Sequence, residues 1–111
     1  MIVNGTNLSM TRGDSETITV SLESYVFTDA DRVEMTVRKQ AQASTVLMHK
    51  VAEIIDGEAI IEIKSEDTSA MRFGEYVYDI QWTDGEGSVT TIIKPSKFEV
   101  TEEVTYGDYQ N

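Results

Sequence analysis

Carboxylates are the chemistry-bearing side chains this chain has in number: twenty Asp and Glu stand against nine Lys and Arg, with one His and no Cys. Three pairs sit two residues apart beside turn-forming residues: Asp29/Asp31, Asp56/Glu58 and Asp84/Glu86. Such pairs offer oxygen ligands to a hard cation, but acids at turns also serve the backbone. None has the spacing of a calcium hand. The expectation is no cofactor, with calcium as the alternative. His49 stands alone, so no metal site can take two imidazoles from one chain. Without Cys there is neither a thiolate site nor a disulfide framework. No nucleophile elbow, phosphate-binding glycine loop or dinucleotide fingerprint occurs. The expectation is a protein that is not an enzyme, with no catalytic and no metal-ligating residue.

The formal charge of −11 is spread along the chain rather than blocked. It keeps the protein soluble and favours basic partner surfaces. It disfavours nucleic acid, whose binding rests on Lys and Arg neutralising phosphates. No stretch approaches the roughly 20 apolar residues of a membrane helix, so no membrane partner is expected. Met1-Ile-Val-Asn-Gly-Thr6 has no basic region and no long apolar run and does not read as a signal peptide.

The elements that must position these residues centre on Glu75-Tyr-Val-Tyr-Asp-Ile-Gln-Trp-Thr83. It alternates strictly, with Tyr76, Tyr78, Ile80 and Trp82 on one face, which predicts a half-buried strand. Asp84-Gly-Glu-Gly87 and a second apolar run from Ser88 make it a hairpin, with positive φ expected at Gly85 or Gly87. Further strands are predicted over 7–11, 16–22, 32–38, 45–51, 58–64 and 97–101. Pro95 marks a break, a bulge or an edge. Asp56-Gly57 predicts a hairpin turn, and Arg12-Gly13-Asp14 a turn with a bulge, although that tripeptide also matches an integrin-binding motif. Short helical turns are predicted after Thr28 and after Ser65, each acting as N-cap. The expected core is Ile18, Val20, Val33, Met35, Val37, Ile61, Ile63, Tyr76, Tyr78, Ile80, Trp82, Ile93 and Phe98.

Short strands with turn signals every 8–12 residues predict an all-β fold: an immunoglobulin-like antiparallel β-sandwich of about seven to nine strands with one short helical turn. Residues 1–105 form the single domain and 106–111 a polar C-terminal tail. The Cys–Trp–Cys pattern of antibody domains is absent, so the likeness is one of architecture. Five residues stand outside the core pattern: Val77 and Ile92 on the second face of the central hairpin, Ile60 on the outer face of its strand, and Tyr106 and Tyr109 in the tail. They are candidate interface residues, since interface cores favour aromatic and apolar groups; the alternative is that they face solvent or cover a second layer of the same domain.

Met10-Thr-Arg-Gly-Asp-Ser-Glu-Thr-Ile-Thr-Val20, Phe27-Thr-Asp-Ala-Asp-Arg-Val-Glu-Met-Thr-Val37, Gly74-Glu-Tyr-Val-Tyr-Asp-Ile-Gln-Trp82 and Thr91-Ile-Ile-Lys-Pro-Ser-Lys-Phe98 follow one another in this order. The series resembles small structural proteins encoded in phage and prophage genomes of Gram-positive hosts. It is also similar to the N-terminal β-domain of phage baseplate upper proteins, whose long C-terminal extension has no counterpart in these 111 residues. The resemblance implies a non-enzymatic virion component of the tail, baseplate or neck. It implies a multimeric building block that contacts other virion proteins, sited in the virion and, during assembly, in the host cytoplasm. The alternative is a capsid decoration or adhesion module with an immunoglobulin-like fold.

Overall fold

The computed structural model describes residues 1–103. Nine strands and one short helix follow in chain order: β1 (Ile2–Asn4), β2 (Asn7–Thr11), β3 (Glu16–Val20), β4 (Arg32–Arg38), β5 (Met48–Val51), β6 (Glu53–Ile55), β7 (Glu58–Ile63), α1 (Ser65–Ser69), β8 (Gly74–Thr83) and β9 (Val89–Thr101). They form two sheets, one in the order β1-β2-β9-β8-β4-β5 and one in the order β3-β7-β6. Side chains from the two facing surfaces make the core, which is how alternating strands bury one face each.

The order β9-β8-β4-β5 opposite β3-β7-β6 is the arrangement of variable-type immunoglobulin domains, G-F-C-C′ against B-E-D. The fold is therefore an immunoglobulin-like β-sandwich, as the alternation predicts. One pairing departs from the expected antiparallel scheme: β2 runs parallel to β9, with Leu8 opposite Phe98 and Thr11 opposite Thr101. A parallel pair joins segments about 90 residues apart in sequence, and no turn signal announces it.

β8 lies in the middle of the larger sheet, paired along its length to β4 and to β9. Tyr76, Tyr78 and Ile80 are buried, and with Phe98, Val33, Met35 and Val37 they line one side of the core, opposite Ile61 and Ile63. Ile18, Ile93 and Trp82 are only partly buried and pack against the margin of this cluster. Trp82 stands one residue before the end of β8, packed against Tyr25 and Phe27. Leu8, Met10, Phe27, Met48, Met71 and Val100 complete the core.

β9 runs unbroken through Pro95, but its register against β8 shifts between Tyr78 and Gln81. Pro95 falls at that irregularity, where a missing N–H costs the ladder least. Asp56 and Gly57 both have positive φ, 51° and 83°, the geometry of a two-residue hairpin turn. In the β8–β9 turn the positive φ falls on Gly87, at 88°.

The helical expectations need correction. The segment after Thr28 makes a single turn, closed by Asp31 N–H on Thr28 O at 2.9 Å, and no helix. α1 has Lys64, not Ser65, at its N-cap position. The Asp67 carboxylate accepts the Lys64 N–H at 2.7 Å and the Lys50 ammonium at 2.7 Å. An acid in the first turn thus does the capping that a cap hydroxyl was expected to do.

Two substitutions test this packing. Phe98→Ala removes a fully buried ring that packs edge-on against Tyr78. It should lower unfolding stability by about 3–5 kcal/mol in a denaturant titration; a loss under about 1 kcal/mol would contradict the central position of Phe98. Gly57→Val places a Cβ 2.4 Å from Val26 Cγ1 on top of a φ that favours glycine, so it should lose at least as much stability as Gly87→Val, whose Cβ meets open space.

Candidate functional site

The direction of each strand sorts the connections into two ends. Residues 21–31, 56–57 and 84–88 meet at one, the loop end. Residues 12–15, 39–47 and 64–73 meet at the other, the helix end. Contacts confirm both groupings. Phe27 N–H donates to Gly57 O at 3.0 Å, and a Cβ at Gly85 would lie 3.2 Å from Ala30 Cβ. At the helix end Gly13 N–H donates to Thr68 Oγ1 at 2.9 Å.

The loop end is built on Asp31. Its carboxylate is buried and accepts from Trp82 Nε1 at 2.8 Å, Tyr25 Oη at 2.8 Å, Thr28 N–H at 2.8 Å and Thr28 Oγ1 at 3.3 Å. Burial works against the charged form, but these four donors outweigh it and hold the Asp31 carboxyl below its ordinary range. The same bond, aided by the adjoining negative charge, pushes the Tyr25 phenol up. Tyr25, Phe27 and Trp82 enclose the group, with ring centroids 4.7–5.7 Å apart. Trp82, read from the sequence as core, is thereby half core residue and half ligand of a carboxylate.

Glu23, Asp29, Asp56, Glu58 and Glu86 at this end are exposed, and Asp84 is half-buried; the exposed apolar residues Val26, Ile55 and Val89 belong to the same end. Asp84 also shapes its own turn, its Oδ1 accepting from Glu86 N–H at 2.9 Å and Ser88 N–H at 3.0 Å. Of the three carboxylate pairs, Asp31 and Asp84 bond the chain around them, while Asp29, Asp56, Glu58 and Glu86 are exposed. Among the described residues no three of His, Asp and Glu gather where they could hold a metal ion.

The helix end carries a cleft lined by Lys39, Leu47, Asp67, Ala70, Met71, Arg72, Phe73 and Tyr76. Tyr76 Oη donates to Arg72 O at 2.6 Å, a bond from the start of the F-type strand back to the backbone just before it, which is the tyrosine corner of immunoglobulin domains. Lys39 Nζ lies 4.8 Å above the Tyr76 ring and donates to Glu75 O at 3.1 Å. Arg12 lies 4.3 Å above the Phe73 ring and pairs with Glu103. The guanidinium of the Arg-Gly-Asp turn is thus spent inside the fold, and Gly13, at φ 85°, makes the turn. His49 Nε2 meets Glu34 Oε2 at 2.8 Å on the outer sheet face. The bond to His49 and the adjoining Arg32 guanidinium outweigh burial and lower the Glu34 carboxyl.

The candidate interface residues are not brought together. Val77 lies on the outer face of the larger sheet, between Arg38 and Lys97. Ile60 lies on the outer face of the smaller sheet, between Thr19 and Glu53. Ile92 leaves the second face altogether: the register shift turns it, with Ile93, against the core. Tyr106 and Tyr109 lie outside the described residues. Of the exposed apolar residues at the two ends, Val26, Leu47 and Phe73 lie in connections, where alternation gives no face to read, and Ile55 and Val89 lie at the ends of β6 and β9, beyond the reach of the core.

No protein-family model and no curated protein matches the chain. Among solved structures, a chain titled "Structure or murine CRIg" is similar at 14% identity and a TM-score of 0.42, over 88% of this chain and 92% of that one.

The Asp31 cluster yields a pH prediction. A carboxyl whose pKa is lower folded than unfolded adds stability above its unfolded value, and that stability is lost as pH falls through the folded value. Wild type should therefore weaken progressively below about pH 4, and Asp31→Asn should flatten this part of the profile while lowering stability at pH 7. Asp31→Ala, which leaves the Trp82 N–H without its acceptor, should cost about 1–3 kcal/mol. Thermal melts across pH, followed by Trp82 fluorescence, measure both. An unchanged acid limb in Asp31→Asn would remove Asp31 from that role.

Proposed function

We propose that the chain is a non-enzymatic structural component of a phage or prophage virion, placed in the tail, baseplate or neck, where it acts as a multimeric building block. The observation that carries this reading is the distribution of exposed apolar side chains. Val26 is 70% and Val89 59% exposed at the loop end, and Phe73 is 42% and Leu47 41% exposed at the helix end. Others, Ile2 at 71%, Val3 at 63% and Val51 at 51%, lie on the edge strands β1 and β5; apolar groups scattered singly over a surface are ordinary, but those at the two ends of the sandwich suit a part that meets a neighbour at each end.

The resemblance carried by Met10–Val20, Phe27–Val37, Gly74–Trp82 and Thr91–Phe98 supports the same reading. In the fold those segments are the Arg12–Asp14 turn with β3, the Asp31 loop with β4, the central strand β8 and most of β9. They form the frame of the domain rather than a site, as a building block requires. Other virion proteins are the partners this reading implies, and the virion and the host cytoplasm during assembly are its places. A capsid decoration or adhesion module is the second reading. The variable-type strand order favours it, because that order gathers three connections at one exposed end.

Antibody raised against the purified chain, applied to particles induced from the host that encodes it, tests the proposal in electron micrographs. Label on the tail, baseplate or neck is the expected outcome. Label on the capsid shell would favour the second reading, and particles free of label, with the chain confined to the lysate, would overturn both.

A further inference from the structure

The two ends that carry exposed apolar groups differ in charge. At the loop end and the strand ends beside it, Glu23, Asp29, Asp31, Asp56, Glu58, Asp84 and Glu86 face a single cation, Arg32, which already pairs with Glu34 at 3.2 Å. More than half of the net charge of −11 is therefore concentrated there. In the cleft at the helix end the balance reverses. Its one acid, Asp67, is neutralised by Lys50 at 2.7 Å. Arg72 has no ion-pair partner among the described residues, and Lys39 bonds only a carbonyl and an aromatic face. Around these two cations stand Leu47, Phe73 and Tyr76.

We propose that the occupant of this cleft is the loop end of a second copy of the chain, so that copies join head to tail. The chemistry matches on both counts. Val26 and Val89 of one copy meet Leu47 and Phe73 of the next, while Asp29 and Glu86 meet Arg72 and Lys39. An apolar centre with charged pairs at its rim is the usual anatomy of a specific interface. The two surfaces are different, so the contact is heterologous: it closes into a ring if the rotation per step permits and otherwise continues as a filament. The chain's net charge opposes the approach at low ionic strength. A Debye length of about 8 Å at physiological salt screens that repulsion while leaving contact pairs intact. Association should therefore rise as salt is raised from low to physiological strength.

This inference deepens the building-block reading and rests on it for its biological sense, but its test is independent. One variant blocks the loop end, Val26→Asp with Val89→Asp, both exposed side chains whose added acids repel, rather than complement, those of the second variant. A second blocks the cleft, Leu47→Asp with Arg72→Glu. Sedimentation velocity at physiological salt reads the outcome. Wild type should form a concentration-dependent series beyond the dimer, and each variant alone should be a monomer. An equimolar mixture should give a 1:1 dimer and nothing larger, because only one competent pair of surfaces remains. A wild type that stays monomeric at every concentration would overturn the proposal. So would variants that associate like wild type, or a mixture that stays monomeric while both chains melt cooperatively. Should either variant lose cooperative melting, Glu86→Gln and Arg72→Gln replace the pairs, and each should weaken association severalfold. Label on particle tails with no pairing in the mixture would sink this inference alone; pairing in the mixture with unlabelled particles would sink the virion reading alone.

Discussion

An aromatic ring with a polar atom can be buried only if that atom finds a partner, and β8 meets this constraint three times. Tyr76 donates to Arg72 O in the connection from α1. Tyr78 donates to Thr6 O in the β1–β2 turn. Trp82 donates to Asp31 in the β3–β4 loop. Each ring contributes apolar area to the core and ties one connection to the central strand. The helix end, the N-terminal hairpin and the loop end thus take their positions from three of the four inward residues of a single strand. Val26 and Phe73 sit on connections fixed in this way, so their placement is inherited from β8 rather than left to loop entropy.

The parts of the fold legible in the sequence are those where period two runs long enough to choose a face. β4, β7 and β8 show it, and their inward residues are buried as the pattern requires, except Trp82 near the end of β8, which is only partly buried. The pattern loses force where strands are short or shifted. β1 and β6 have three residues each and no alternation to detect. Ile92 reads as outward only while β9 keeps one register with β8, and the shift beside Pro95 changes its face. Asp31 shows the limit for polar groups. It was visible as half of a carboxylate pair at a turn, but its partners Tyr25 and Trp82 lie 6 and 51 residues away. Only the antiparallel pairing of β4 with β8, which sets Val33 opposite Trp82, brings the ring to the carboxylate.

Charge on the two sheets is handled differently. On the outer face of the larger sheet Glu34 meets His49 and Arg32, and Glu75 meets Lys97. Exposed pairs of this kind contribute little stability each, but they leave that face close to neutral. The outer face of the smaller sheet sets Glu53 opposite Ile60, Glu58 opposite Ile55 and Glu62 opposite Thr17, with no cation in the register. The acidic excess is therefore carried by the smaller sheet and the loop end together. Two such copies cannot approach face to face through their smaller sheets without strong repulsion, which removes one symmetric dimer from those open to the chain.

Edge pairing is blocked as well, by geometry rather than by field. The four edge strands are β1, β5, β3 and β6. Of these, β1 and β6 offer three residues and β5 four, too few for a stable added strand. β5 also carries His49 and Lys50, and β6 carries Glu53, charged or ionisable groups of the kind that blunt a sheet edge. The fifth residue of β3, Val20, turns into the core, and at its other end Glu16 holds the Met1 amino group at 2.7 Å, so the N-terminal segment stands across that edge. With the smaller sheet's face repelling and the edges short or covered, the two ends remain open to repeated contact, together with the near-neutral outer face of the larger sheet. Self-assembly through ends is directional and self-limiting in width, whereas assembly through open edges grows sheets.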